Sequence, residues 1–161
     1  MKKIILASVF GLAALIATAS ATRADTDPPK AWQDVRALVV RFNDAQNAHN
    51  LDVVSALLLN SPSFVWEAGP VIEAGHDATI EKLAQVYRGD WRVLPDYGSL
   101  NIQLLGPNVA EIAVQTEFKT APPGGDVVNT ESLVRERAVR TPEGWRLASV
   151  AVDPAPAAML F

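Results

Sequence analysis

The chain has 161 residues, with 14 Lys and Arg against 18 Asp and Glu, a net charge of −4, two histidines and no cysteine. This length suits one domain, and 49 % apolar residues are enough to bury a core. The acidic balance argues against a nucleic-acid-binding protein, and the absence of cysteine excludes disulfides, thiolate zinc sites and iron–sulfur clusters, so we expect no metal or cofactor.

Residues 1–24 have the layout of a bacterial secretory signal peptide. A basic start precedes residues 4–19, which are almost wholly apolar, and Ala19-Ser20-Ala21 resembles a cleavage site. The apolar run is shorter than the about 20 residues that a membrane-spanning helix needs. We therefore expect a periplasmic or secreted protein, cleaved after Ala21 or Ala24, with no membrane contact once the signal is removed.

Three segments have the spacing of amphipathic helices. Residues 30–49 and 52–59 predict the first two, with polar side chains such as Asn43 between the apolar ones. The third begins near His76, with Asp77 as a candidate N-cap, and Gly89 ends it.

Six segments have the composition or the period-two alternation of strands. They are residues 63–68, 71–74, 100–104, 110–118, 127–140 and 145–152. Short turns make neighbouring strands antiparallel, and helices grouped ahead of the long strands indicate an α+β fold. We expect one domain over residues 30–153, with three N-terminal helices on an antiparallel sheet of about six strands, and a Pro/Ala-rich tail over residues 154–161.

Four segments, in this order and spacing, resemble the nuclear transport factor 2-like superfamily in its SnoaL-like branch. They are Val39–Ala45, His49–Asp52, Gly69–Ile80 and Arg140–Leu147. The resemblance covers residues 32–153. It implies a cone, in which a strongly curved sheet wraps the long helix and leaves a pocket, and a homodimer formed through the outer sheet face. The superfamily contains isomerases, hydratases, cyclases and non-catalytic binding modules, so the fold does not determine the function.

Many SnoaL-like chains carry histidine on the last strand, two and four residues after the apolar residue that follows Trp. Counted from Leu147, those positions are Ser149 and Ala151 here, so the usual proton shuttle is missing. Ser149 is a candidate for orienting a ligand, or a small residue in a tight sheet. We expect His49 to cap the first helix or to contact solvent, and His76 to be exposed.

Four residues are candidates for acid/base catalysis. Glu67 follows an aromatic strand, and a carboxylate among aromatic rings has a raised pKa. Asp96 is a second candidate base, and Tyr97, like Tyr87, is a candidate donor. Strand alternation places Glu117 on the face opposite Phe118, which favours an outward position.

The motif Arg135-Glu136-Arg137 puts charge on both faces of one strand. Whichever face is inward brings a charge toward the cone. An inward Arg would meet an anionic ligand, and an outward one would form cross-strand ion pairs with Glu111, Glu117 or Glu131. The pattern leaves the orientation open.

Aromatic side chains are the remaining signal for a binding site. We expect Trp66, Tyr87, Trp91 and Phe118 to line a pocket, although aromatics equally form plain core.

Three functions stay open. They are the binding of a small apolar or amphipathic molecule in the cone, an isomerase, cyclase or hydratase that uses carboxylate and tyrosine groups, and a dimeric interaction module with a filled core.

Overall fold

The computed structural model describes residues 29–154, and the predicted signal peptide and the tail beyond residue 154 lie outside them. Three helices pack on one sheet: α1 (Lys30–Asn47), α2 (Leu51–Leu57) and α3 (His76–Val86). Within these residues no helix is both long and apolar enough to cross a membrane. The α+β class is confirmed.

The sheet has seven strands in the order β2-β1-β7-β6-β5-β3, with β4 on the same edge of β5 as β3. They are β1 (Val65–Ala68), β2 (Val71–Ala74), β3 (Asp90–Pro95), β4 (Asn101–Leu104), β5 (Val109–Ala121), β6 (Val128–Thr141) and β7 (Gly144–Pro154). Two expectations need correction. The sheet is mixed, because β1 runs parallel to β7, a pairing that turn lengths do not reveal. It also has a seventh strand, β3, which the sequence did not predict, and α3 follows β2 along the chain.

Helix α1 lies against the sheet through an apolar stripe. Val35, Leu38, Val39 and Phe42 recur at helical spacing and are buried. The helix packs on β3, β4 and β7, so it covers one face of the sheet, which we call the inner face, and the space between that face and α1 is called the interior of the cone. This position makes α1 one wall of any space inside the fold.

Helix starts differ in how they are capped. Asn50 caps α2, since its Oδ1 accepts a hydrogen bond from the Val53 backbone N–H at 3.1 Å. Asp77 does not cap α3, contrary to expectation. The helix begins after Gly75, whose φ of 96° suits glycine, with no capping side chain.

A bulge in β7 reverses the alternation of its side chains. Arg137 pairs with Ser149 while the next residue, Ala138, pairs with Leu147, so Ala148 has no counterpart on β6. Leu147 and Val150 are therefore both buried on the inner face, although they are three positions apart and strict alternation would place them on opposite faces. Every inner-face assignment beyond Ala148 shifts by one residue.

Candidate functional site

Glu136 is a carboxyl group on the inner face of the sheet. It pairs with Ile112 of β5 and Val150 of β7, both buried apolar residues, and is itself only 5 % exposed. Among residues 29–154 its Oε2 has no hydrogen-bond partner. Burial disfavours the charged form and raises the pKa of Glu136 to about 8. The group therefore keeps its proton at neutral pH and can donate it.

The two arginines beside Glu136 lie on the outer face. Arg135 Nη2 is 2.7 Å from Asp153 Oδ2, and Arg137 Nη2 is 2.7 Å from Glu111 Oε1. The orientation that the sequence left open is thus settled. The charge that enters the cone is acidic, and the arginines form cross-strand ion pairs, one of them with Glu111 as the sequence suggested.

Helix α1 contributes two buried amides to the interior. Asn43 Nδ2 donates to the Val39 carbonyl at 3.0 Å, and Gln46 Nε2 donates to Asn43 Oδ1 at 3.3 Å. Gln46 Oε1 has no partner in the described part of the chain. Asn43 had been expected on the polar side of α1, but it is 6 % exposed, since α1 is covered along both flanks of its apolar stripe.

A small cavity of about 10 Å³ lies between α1 and the inner face of the sheet. Its wall is mostly apolar, with four polar side chains. The apolar lining residues are Phe42, Trp66, Val93, Val114, Phe118, Val134, Val150 and Val152, and the polar ones are Asn43, Gln46, Thr116 and Glu136. This space has room for a water molecule and none for an organic ligand.

The predicted aromatic residues form two packed groups. Trp66 and Phe42 are 6.1 Å apart between ring centres, while Trp91 lies 5.8 Å from Phe118 and 6.1 Å from Tyr87. Burial raises the pKa of Tyr87. Trp66 and Phe118 reach the small cavity, whereas Tyr87 and Trp91 pack beside it as part of the core.

Gly89 brings α3 close to the end of β5. A side chain at this position would collide with the Ala121 carbonyl oxygen. The close approach lets the Tyr87 and Trp91 rings on either side of Gly89 come into contact. His49 then stacks on Tyr87 at 4.7 Å, and its Nε2 lies 3.2 Å from the Trp91 carbonyl oxygen.

A cleft of about 680 Å³ opens beside the cavity. It is lined by Asn43, Asp44, Asn47, Val93, Leu94, Pro95, Asp96, Tyr97, Gln115, Thr116, Glu117 and Glu131. Asn43, Val93 and Thr116 line both spaces and so form the partition between them. The lining includes Thr116, on the inner face, and also Glu117, which points outward as predicted. The cleft can reach both faces of β5 because it lies where β3 has ended and β4 has not begun.

The structure brings Asp96 and Tyr97 together in this cleft. Asp96 Oδ1 accepts the Gly98 backbone N–H at 2.9 Å, which holds the loop in a tight turn. Burial raises the pKa of Tyr97 and outweighs the lowering by its side-chain hydrogen bond with Asn43. The Arg36 guanidinium lies 5.9 Å from the centre of the Tyr97 ring. Tyr97 thus stands between a surface cation and the buried amides of α1.

Two predicted site residues lie away from the interior. Glu67 is exposed on the side of β1 opposite buried Trp66. Ser149 is on the outer face with Arg135 and Arg137, where these residues line a depression of about 450 Å³. An inward position for Ser149 assumed strict alternation from Leu147. The bulge at Ala148 breaks that alternation and places Ser149 outward.

His76 is buried, contrary to expectation. Its Nε2 lies 3.1 Å from Ser55 Oγ, and its Nδ1 lies 2.8 Å from Asp77 Oδ1. The ring thereby joins α2 to α3. No cluster of three or more potential metal-ligating side chains occurs within residues 29–154.

Sequence reasoning did not single out Glu136 or Gln46 as site residues. The available signal for Glu136 was its position between Val134 and Ala138 on one face of β6, but charges on the other face obscured it. Gln46 lies in phase with Phe42 and Val39 on α1, so helical spacing alone could have placed it inside.

Structural comparison identifies the fold as nuclear transport factor 2-like, also called cystatin-like. A nuclear transport factor 2-like superfamily protein from Salmonella enterica serovar Typhimurium superposes with a TM-score of 0.70 at 16 % identity, over 81 % of this chain and 95 % of that one. An uncharacterised protein with a cystatin-like fold from Caulobacter vibrioides gives 0.68 at 14 % identity, over 80 % and 92 %.

A ketosteroid isomerase-like protein from Erwinia carotovora superposes with a TM-score of 0.63 at 15 % identity, over 77 % of this chain and 95 % of that one. No protein-family sequence model matches the chain, and no curated protein sequence matches it either. Identities this low establish the common fold, while the function has to be argued from the site.

Proposed function

We propose that the protein binds a small amphipathic molecule in the cleft between α1, β3 and β5. The observation that carries this proposal is the contrast in size between the two spaces. The cleft of about 680 Å³ is in the range of small-molecule sites, whereas the cavity inside the cone is about 10 Å³. The ligand therefore lies at the mouth of the cone and not among the aromatic side chains that fill it.

The lining of the cleft favours a ligand with a cationic end. The described residues that line it include four acidic side chains and no basic one. The acidic residues are Asp44, Asp96, Glu117 and Glu131. Glu117 and Glu131 are direct cross-strand neighbours, and Lys119 lies 3.5 Å from Glu117. Val93, Leu94 and Pro95 supply an apolar wall for the rest of the ligand.

Calorimetric titration with choline and with 3,3-dimethyl-1-butanol tests this proposal, because the two molecules share a shape and differ in charge. Choline is expected to bind more tightly. Glu131→Gln should weaken choline binding roughly two- to fivefold, as for an exposed charge pair, and should leave the alcohol unchanged. Glu81→Gln on α3, also exposed, is the matched control. Equal binding of the two molecules, or an equal effect of both substitutions, would refute the cationic preference.

A second function is favoured by Glu136. A buried carboxyl group with a pKa near 8 is suited to proton transfer at neutral pH, as in an isomerase, cyclase or hydratase. Glu136 would be the acid or base, and Tyr97 the second polar group near the partition. Catalysis would require the partition at Asn43 and Thr116 to open. If Glu136 is catalytic, Glu136→Gln should lose the enzymatic activity and keep its affinity for choline. This outcome would distinguish catalysis from simple binding.

Export and dimerisation complete the proposal. The layout of residues 1–24 supports a periplasmic or secreted location. The outer face of β5, β6 and β7 carries Ala113, Ala151 and Leu133 among its ion pairs, and it supports a homodimer that pairs sheet on sheet. An interaction module with a filled core stays the alternative if no ligand binds the cleft.

A further inference from the structure

Two of the residues that line the cavity each carry a buried oxygen atom that lacks a partner among the described residues. These atoms are Gln46 Oε1 and Glu136 Oε2, on residues that are 3 % and 5 % exposed. A buried polar atom left unsatisfied costs about 1–3 kcal/mol. Both atoms belong to residues that line the same space, so one occupant could satisfy both.

The direction of the Gln46 amide follows from a chain of hydrogen bonds along α1. Asn43 Nδ2 donates to the Val39 carbonyl, which leaves Asn43 Oδ1 as an acceptor. Gln46 Nε2 donates to that oxygen. Gln46 Oε1 therefore has to remain free as an acceptor, and whatever occupies the cavity must donate a hydrogen bond to it.

Glu136 supplies the complementary group. A protonated carboxyl offers one O–H donor and retains acceptor capacity. The occupant thus meets an amide acceptor from α1 and a donor from β6. Water, which both donates and accepts, matches this pair, whereas a metal ion would be opposed by the proton on Glu136.

The size of the cavity agrees with the same occupant. A volume of about 10 Å³ is close to the minimum that holds a single water molecule. Polar cavities of this kind are hydrated, while purely apolar ones stay dry. The wall also contains Thr116 and Asn43, so the site is polar on the side that faces the cleft.

We propose that the cone contains a binding site for one water molecule, which bridges Gln46 Oε1 on α1 and Glu136 Oε2 on β6. The bridge joins the helix to the centre of the sheet through two oxygen atoms that have no other hydrogen-bond partner among residues 29–154. It also occupies the space behind Asn43, Val93 and Thr116. A molecule bound in the cleft then meets a closed partition, and the water remains in place whether or not the cleft is occupied.

A crystal structure of the protein at high resolution tests this site. The expected result is one density peak at about 2.7–3.2 Å from both Gln46 Oε1 and Glu136 Oε2. The peak should persist in crystals soaked with choline. A cavity without density, or a rotation of the two side chains into direct hydrogen-bond contact with each other, would overturn the proposal.

Infrared spectroscopy gives a second measurement in solution. The carboxyl C=O band of protonated Glu136 is identified by subtracting the spectrum of Glu136→Gln. In Gln46→Met, which keeps the side-chain length but loses the acceptor, the band should move to higher wavenumber because the bridging water is lost. Ser132→Ala, on the same face of β6 but outside the lining of the cavity and of the cleft, is the matched control and should leave the band near its original position. An unchanged band in folded Gln46→Met would contradict the bridge, and if that variant does not fold, the density in the native crystal decides.

Discussion

Glu136 of β6 lies directly opposite Val150 of β7, so a carboxyl group and an isopropyl group share the inner face of the sheet. The pairing exists because the bulge at Ala148 turns Val150 inward where strict alternation from Leu147 would have placed Ser149. The apolar neighbour helps to exclude water from Glu136, which is why burial is the cause of its raised pKa.

The raised pKa predicts a stability that depends on pH. The folded state holds the Glu136 proton up to a pH of about 8, while the unfolded chain releases it near the ordinary value of 4.5. Between these values the folded state binds more protons, so the free energy of unfolding must fall as the pH rises. The loss amounts to several kcal/mol, since each pKa unit is worth about 1.4 kcal/mol.

Urea denaturation at several pH values between 5 and 8.5 measures this effect. The native protein should lose stability relative to Glu136→Gln as the pH rises, because the amide does not titrate. Glu67→Gln, at an exposed carboxyl, is the control and should follow the native curve. Parallel curves for the native protein and Glu136→Gln would show that Glu136 is not buried as described.

The aromatic residues predict a graded loss of stability on truncation. Trp145 is 6 % exposed in the central hairpin, so Trp145→Ala should cost about 3–5 kcal/mol. Trp91 is only half-buried against Tyr87 and Phe118, and Trp91→Ala should cost less. Because Trp91 does not line the cleft, choline affinity should be retained. Weaker choline binding in folded Trp91→Ala would indicate that the ligand binds among the aromatic side chains of the interior and not in the cleft.

The fold could be predicted from the sequence to the extent that local patterns determine it. The spacing of Val35, Leu38 and Phe42 predicts α1 to within two residues at its C-terminal end, and Gly69 and Pro70 mark the β1–β2 turn. The parallel contact of β1 with β7 is a long-range pairing, for which no local pattern exists. The cone was predicted from the superfamily resemblance, because hydrophobic periodicity alone does not predict it.

The site was less accessible to sequence reasoning, for two physical reasons. Alternation assumes an unbroken strand, and the single extra residue Ala148 moved Ser149 to the outer face. The inward face of β6 was ambiguous because Glu136 and its arginine neighbours are all charged, and only the pairing with Ile112 resolves it. Asp96 and Tyr97, predicted as a candidate base and a candidate donor, both line the cleft, and their catalytic role stays a prediction.

The outer sheet face predicts a symmetric homodimer. Sedimentation at micromolar concentration should give about twice the mass of the purified chain. Ala113→Glu would place a charge at the centre of this face, opposite Arg135 on the neighbouring strand, and should shift the protein to a monomer without loss of fold. The exposed substitution Ala78→Glu on α3 is the control. A native protein that is monomeric throughout this range would refute the dimer.

The layout of residues 1–24 predicts export. Expressed in a Gram-negative host, the protein should accumulate in the periplasm with an N-terminus at Thr22 or Asp25, which N-terminal sequencing reads directly. Replacing Ala21 and Ala19 by bulky residues should block cleavage at the first site. Full-length protein that begins at Met1 in the membrane fraction would show that residues 1–24 are not a cleaved signal.

Mapping of backbone amide chemical shifts during a choline titration tests the central claim most directly, because it locates the ligand. Binding in the cleft predicts saturable shifts centred on Asn47, Tyr97 and Glu131, with Val134 and Val150 inside the cone unaffected. Shifts centred on Val134, Val150 and Trp66 would place the ligand inside the cone, and the absence of any saturable shift would contradict ligand binding at the cleft.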